Sequence, residues 1–140
     1  MADANVTLEA IIDTIGSTLK IPVYLVDELP TVFKMNCAYV LAPKTVHQQF
    51  LISSGTLQDF QVRVIVPTHE VDSNRYNDIG NNIRKSLAQI NMMLSDTFKR
   101  MRIVGTGNIY EVDYEISLWE ANSRIYAASE ITLSLKSMSI

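Results

Sequence analysis

A chain of 140 residues, 47% apolar and 19% charged, has the size and composition of one folded domain, which excludes a disordered chain. Its 12 basic and 15 acidic residues leave a formal charge of −3, without the basic excess of an open nucleic-acid binder. A single cysteine, Cys37, excludes an intrachain disulfide, and no apolar run approaches the roughly 20 residues of a membrane helix.

The N-terminal MADANVTLEA lacks a basic region followed by an apolar stretch, so no signal peptide and a reducing compartment are expected. Leu8, Ile11, Ile12, Ile15 and Leu19 recur at helical spacing, with Asn5 or Thr7 as N-cap and Pro22 closing the helix. IPVYLVD (21–27) reads as a short strand, and NCAYVLA (36–42) as another, with Cys37 a small core residue. FQVRVIV (60–66) is clearer, since Phe60, Val62, Val64 and Val66 share one face while Gln61 and Arg63 share the other. Residues 43–57 between these strands form a projecting hairpin or an interaction loop, with Val46, Phe50 and Leu51 as candidate contacts.

A polar stretch follows Pro67. A second helix is then predicted from Tyr76, Ile79, Ile83, Leu87, Ile90 and Leu94, capped by Asp72 or Ser73, with Met92 and Met93 filling core. The last third reads as three strands, 98–104, 109–119 and 124–136, joined by tight turns. The expectation is a single α+β domain over residues 1–140. One antiparallel or mixed sheet carries both helices on one face and ends in a three-stranded meander.

Catalytic motifs are scarce. Of the two histidines, His69 lies in THEVD, which begins like a zinc-protease motif but lacks the second histidine. Gly105-Thr106-Gly107 stands between two strands, so it is a turn and lacks the helix N-terminus that would hold phosphate. No metal or cofactor is expected.

The segment NIYEVDYEISLW (108–119) places Glu111, Asp113 and Glu115 at alternate positions, on one face of a strand. A hairpin turning at 105–108 sets Arg102 opposite Glu111 and Arg100 opposite Asp113, two cross-strand ion pairs worth roughly 0.2–1 kcal/mol each. Phe98 would then face Glu115, which falls beside Ala128 or Glu130 on its other flank. Glu115 and Glu130 are therefore the uncompensated acids, on a face shared with Trp119 and Tyr126. That combination fits a subunit interface or a channel-facing surface, with an ordinary solvated face and a catalytic site as the alternatives. Tyr110, Val112, Tyr114, Ile116 and Leu118 form the opposite, core face, with Ile125, Ala127, Ile131, Leu133 and Leu135.

The order of elements, with the helix NDIGNNIRKSLAQI (77–90) and a long meander ending in TLSLK, resembles the tail-terminator proteins of tailed phages and related neck proteins. The resemblance implies a virion structural protein without enzymatic activity, assembled in the host cytoplasm. A hexameric ring of copies would close the tail tube, stop its growth and bind the tube protein and the head connector. DNA would pass through without specific binding, and Glu115 or Glu130 would face the lumen. Alternatives are a tail-tube or neck subunit, a small metal-dependent nuclease using Asp113, Glu115 and Glu130, and a cytosolic ligand-binding domain.

Overall fold

In the computed structural model of the protein, residues 4–26, 28, 30, 34–41, 60–71, 81–105, 107–121 and 124–137 are described. The loop contacts Val46, Phe50 and Leu51 lie outside them, as do Tyr76, Ile79 and the expected caps Asp72 and Ser73.

The first apolar stripe forms helix α1 (Ala4–Leu19), whose Leu8, Ile11 and Ile15 are buried. Asn5 and Thr7 lie inside this helix rather than capping it, and Thr7 is fully buried. The helix ends at Lys20, whose φ of 56° is left-handed and whose N–H donates to the Gly16 carbonyl at 2.9 Å. Six strands follow: β1 (Val23–Val26), β2 (Ala38–Leu41), β3 (Phe60–Val71), β4 (Ile103–Val104), β5 (Gly107–Ala121) and β6 (Arg124–Ser137). They form one sheet in the order β1-β2-β3-β6-β5-β4, parallel between β1 and β2 and antiparallel elsewhere. The expected α+β architecture with a C-terminal meander is thus observed. β3 does not stop at Pro67 but slips register against β6 between Pro67 and His69, which accommodates a residue that has no N–H for the ladder.

The second helix, α2 (Asn81–Met101), runs further than its sequence pattern suggested. Leu87, Asn91, Leu94, Ser95 and Phe98 are all buried, so the helical stripe continues through a segment expected to be strand. Arg102 closes α2 with a left-handed φ of 56°, its N–H reaching the Phe98 carbonyl at 3.1 Å. Lys99 and Arg100 in the last turn suit the negative end of the helix dipole. Only Ile103 and Val104 remain extended before the turn.

Both helices cover the same face of the sheet. Leu8, Ile11 and Ile15 of α1 and Leu94 and Phe98 of α2 pack with Val62, Val64, Ile131 and Leu133 in one core. Two side chains bind helix to sheet by hydrogen bonds, Ser129 Oγ to the Leu87 carbonyl at 2.9 Å and Asn91 Nδ2 to the Glu115 carbonyl at 3.2 Å. Two expectations about this core are corrected. Met92 and Met93 point to solvent, 59% and 47% exposed, because the core stripe of α2 runs along Leu87, Leu94 and Phe98. On β5, Tyr110 and Tyr114 are also exposed rather than core. Ile109 takes the core position instead, at a register shift that sets Tyr110 apart.

Candidate functional site

The sheet face that no described helix covers carries Glu111, Asp113, Glu115 and Glu130 together with Trp119 and Tyr126. Strand alternation sets the membership. Register pairs Glu111 with Ser134, Asp113 with Thr132, Glu115 with Glu130 and Trp119 with Tyr126, while Arg63 of β3 pairs with Thr132 on the other flank. Of the two partners open to Glu115, the structure selects Glu130.

The expected ion pairs are not formed. Arg100 lies on α2 and Arg102 at its closing turn, so neither occupies a strand beside β5. The pairs between β4 and β5 are Ile103 with Asn108 and Val104 with Gly107, a tighter hairpin than the arginine pairing requires. Glu111 and Asp113 are exposed and have no ion-pair partner among the described residues.

Glu130 is the acid with a cation. Its Oε1 accepts from the Arg63 guanidinium, a residue diagonal to it across the β3–β6 ladder. Glu130 sits on the central strand and is 6% exposed, so burial of this carboxylate depends on that contact. The Arg63 guanidinium also lies 5.2 Å from the centre of the Trp119 ring, whose Nε1 donates to Ser117 Oγ at 2.7 Å. One arginine therefore links β3, β5 and β6. The exposed Glu115 carboxyl stands directly across from Glu130, and its pKa is raised. The first cause is a hydrogen bond to Glu130, then repulsion by that charge and desolvation, with Arg63 opposing.

Beyond Trp119 the same face is apolar. Tyr126, Tyr39 and Cys37 are buried together, with Val26, Met35 and Trp119 packed against them. Backbone contacts fix this cluster: the Lys34 N–H donates to the Tyr39 hydroxyl at 3.0 Å, and the Cys37 thiol to the Lys34 carbonyl at 3.2 Å. Desolvation raises the Cys37 pKa, which keeps the thiol protonated and unreactive.

Of the four residues proposed for a lumen or interface, Glu115 is exposed and Trp119 half-buried, whereas Glu130 and Tyr126 are buried. The sequence assigned Arg63 to this face but not to Glu130, because that contact needs the long-range register of β3 on β6. A shallow cleft of about 180 Å³ lies among Asp113, Tyr114, Glu115, Glu130 and Thr132. Among the described residues no three or more His, Cys, Asp or Glu side chains are arranged to hold a metal ion. Glu130, which a nuclease site would need as a ligand, is already engaged by Arg63. No protein-family model and no curated protein sequence matches the chain.

Proposed function

We propose that this chain is a structural subunit of a phage virion, a tail terminator that acts as a ring at the end of the tail tube and joins it to the head connector. The observation that carries the proposal is the row Glu111, Asp113 and Glu115, exposed on the face that no described helix covers, with Glu111 and Asp113 in no ion pair among the described residues. Side chains two residues apart on a strand lie about 6–7 Å apart, so the three carboxylates form a line rather than a chelating cluster. In a solitary domain such a line is only self-repulsion. Facing a channel, it repels phosphate along the length of the strand and gives passing DNA nothing to adhere to. A second surface suits a neighbour. Met92, Met93, Met101 and Ile103 are 40–59% exposed, more apolar area than a solvated helix end needs.

Light scattering and negative-stain microscopy of the purified chain test the ring. Closed rings with a mass several times 15.7 kDa are expected, and a strict monomer at high concentration overturns the proposal. The lumen assignment is tested separately with Glu115→Lys, at mid-sheet opposite Glu130, which leaves Glu111 and Asp113 unchanged. Particles should assemble but release DNA poorly, and unimpaired release would remove Glu115 from the channel. Glu130 is unsuited to this test, because a lysine there would be buried against Arg63.

A further inference from the structure

Among the described residues, the sheet ends on both sides in strands with unpaired edges. β5 is 15 residues long, yet on its outer side it pairs only at Gly107 and Asn108, because β4 has two residues. Just beyond, the Ile109 N–H is taken by the Arg102 carbonyl at 2.6 Å. From residue 110 to 121 no described residue forms a ladder on that side. A groove of about 490 Å³ between the last turn of α2 and residues 108–112 leaves room beside the strand. At the far side of the sheet, β1 pairs with β2 alone, and its Tyr24 and Leu25 are 39% and 40% exposed.

Long open edges recruit strands, so a partner strand is the physical expectation for β5. Charge decides which one. Two β5 edges meeting about a two-fold axis would set the acid row of one copy against that of the other, and like charges across a ladder are unfavourable. β1 itself is uncharged and Glu28 is exposed beyond its end, but two cations lie near its helix-distal face and its start. Tyr24 lies on the same sheet face as Glu111, Asp113 and Glu115, by the register from β1 through β2, β3 and β6 to β5. The Lys34 ammonium stands 5.4 Å from the centre of the Tyr24 ring, and Lys20 is exposed just before the strand.

We infer that β1 of a second copy adds to the open edge of β5, so that the sheet continues from one copy into the next with Lys34 beside the acid row. Direction agrees with this. β1 and β2 run together and each later step through β3, β6 and β5 reverses, so β1 and β5 are opposed in direction. Copies related by rotation about an axis along the strands therefore pair β5 with β1 antiparallel, keeping all helices on one face. Such a head-to-tail contact closes into a ring where the rotation between copies divides a full turn. The inference rests on the ring proposed above and supplies its interface.

Charge reversal tests it on the full chain. Lys20→Glu with Lys34→Glu makes both edges acidic, and Glu111→Lys with Asp113→Lys makes both basic. Each variant should keep the wild-type circular dichroism and raise the concentration for half-assembly about tenfold or more. An equimolar mixture should assemble again, with the two variants alternating by native mass spectrometry. Assembly of either variant at the wild-type concentration overturns the inference, as does a mixture that stays monomeric or stops at dimers. A wild-type ring indifferent to these changes refutes the β1–β5 contact alone, whereas a monomeric wild type refutes the ring itself.

Discussion

Gly105 lies in the turn between β4 and β5 with φ at +60°, directly beneath the start of α1. A Cβ added there would stand 2.7 Å from both Thr7 Cα and the Val6 carbonyl oxygen. Two penalties combine in Gly105→Ala. The left-handed conformation costs an L-residue roughly 1–2 kcal/mol. The methyl group meets backbone atoms, so no side chain can rotate aside, and overpacking of this kind costs about 1–3 kcal/mol. The sum is about 2–5 kcal/mol, a large part of a typical domain's stability, and corresponds to a melting point lower by roughly 5–15 °C. Urea titration followed by circular dichroism and by fluorescence of Trp119, the chain's single tryptophan, measures it. Gly16→Ala is the internal control. It lies within α1, where a Cβ would meet only Val23 Cγ2 at 3.9 Å, so the substitution should stabilise by up to about 1 kcal/mol. The reasoning fails if Gly105→Ala loses less than about 1 kcal/mol, or if both variants lose equally.

Arg63→Met should destabilise by about 1–3 kcal/mol in thermal melts, since it leaves the buried Glu130 carboxylate without its donor. Adding Glu130→Gln should restore much of that loss, and a double variant as unstable as the single one would contradict the pairing. For Glu115, the folded pKa lies above the unfolded value, so its contribution is fully present below the unfolded pKa and is lost as pH rises through the folded one. Glu115→Gln should therefore be slightly more stable than wild type at pH 7. The gain lies within the roughly 0.2–1 kcal/mol of a cross-strand pair and towards its lower end, because the site is exposed. Urea titrations at pH 5 and pH 7 should show a smaller gain on acidification in the variant than in wild type. An unchanged gain would mean the two carboxyls do not interact.

Much of the fold follows from local periodicity. The stripe of Leu8, Ile11 and Ile15 dictated α1, and the alternation from Phe60 to Val66 dictated both the strand and its core-facing side. The failure at 98–104 has a specific cause. Phe98, Arg100 and Arg102 alternate with Lys99, Met101 and Ile103 in a way that satisfies a strand, while Phe98 also stands in helical register with Leu87, Asn91 and Leu94. The usual stop signal was absent, because α2 ends on a left-handed arginine rather than a glycine, as α1 ends on Lys20. The misplaced boundary then removed both arginines from the sheet, and with them the employment assigned to Glu111 and Asp113. At the site, the pairing of Glu115 with Glu130 was within reach of hairpin arithmetic, since it depends only on the turn after Ala121. Arg63 was not, because no local pattern fixes how β3 lies against β6.

The acids of β5 therefore differ by depth. Glu115 is held to Glu130 at the centre of the sheet, where Arg63 and Trp119 complete a fixed polar contact. Glu111 and Asp113 lie towards the β4 end, beside an edge that the two-residue β4 scarcely covers. Charged residues on an exposed edge deter self-pairing, and a row of one sign makes that selective: it rejects another β5 while favouring a strand with a lysine on the same face. Under this proposal the alternation of acids that suits a DNA channel also chooses the neighbour. The two roles separate experimentally, because Lys20→Glu with Lys34→Glu should weaken assembly without changing any residue on the acidic row.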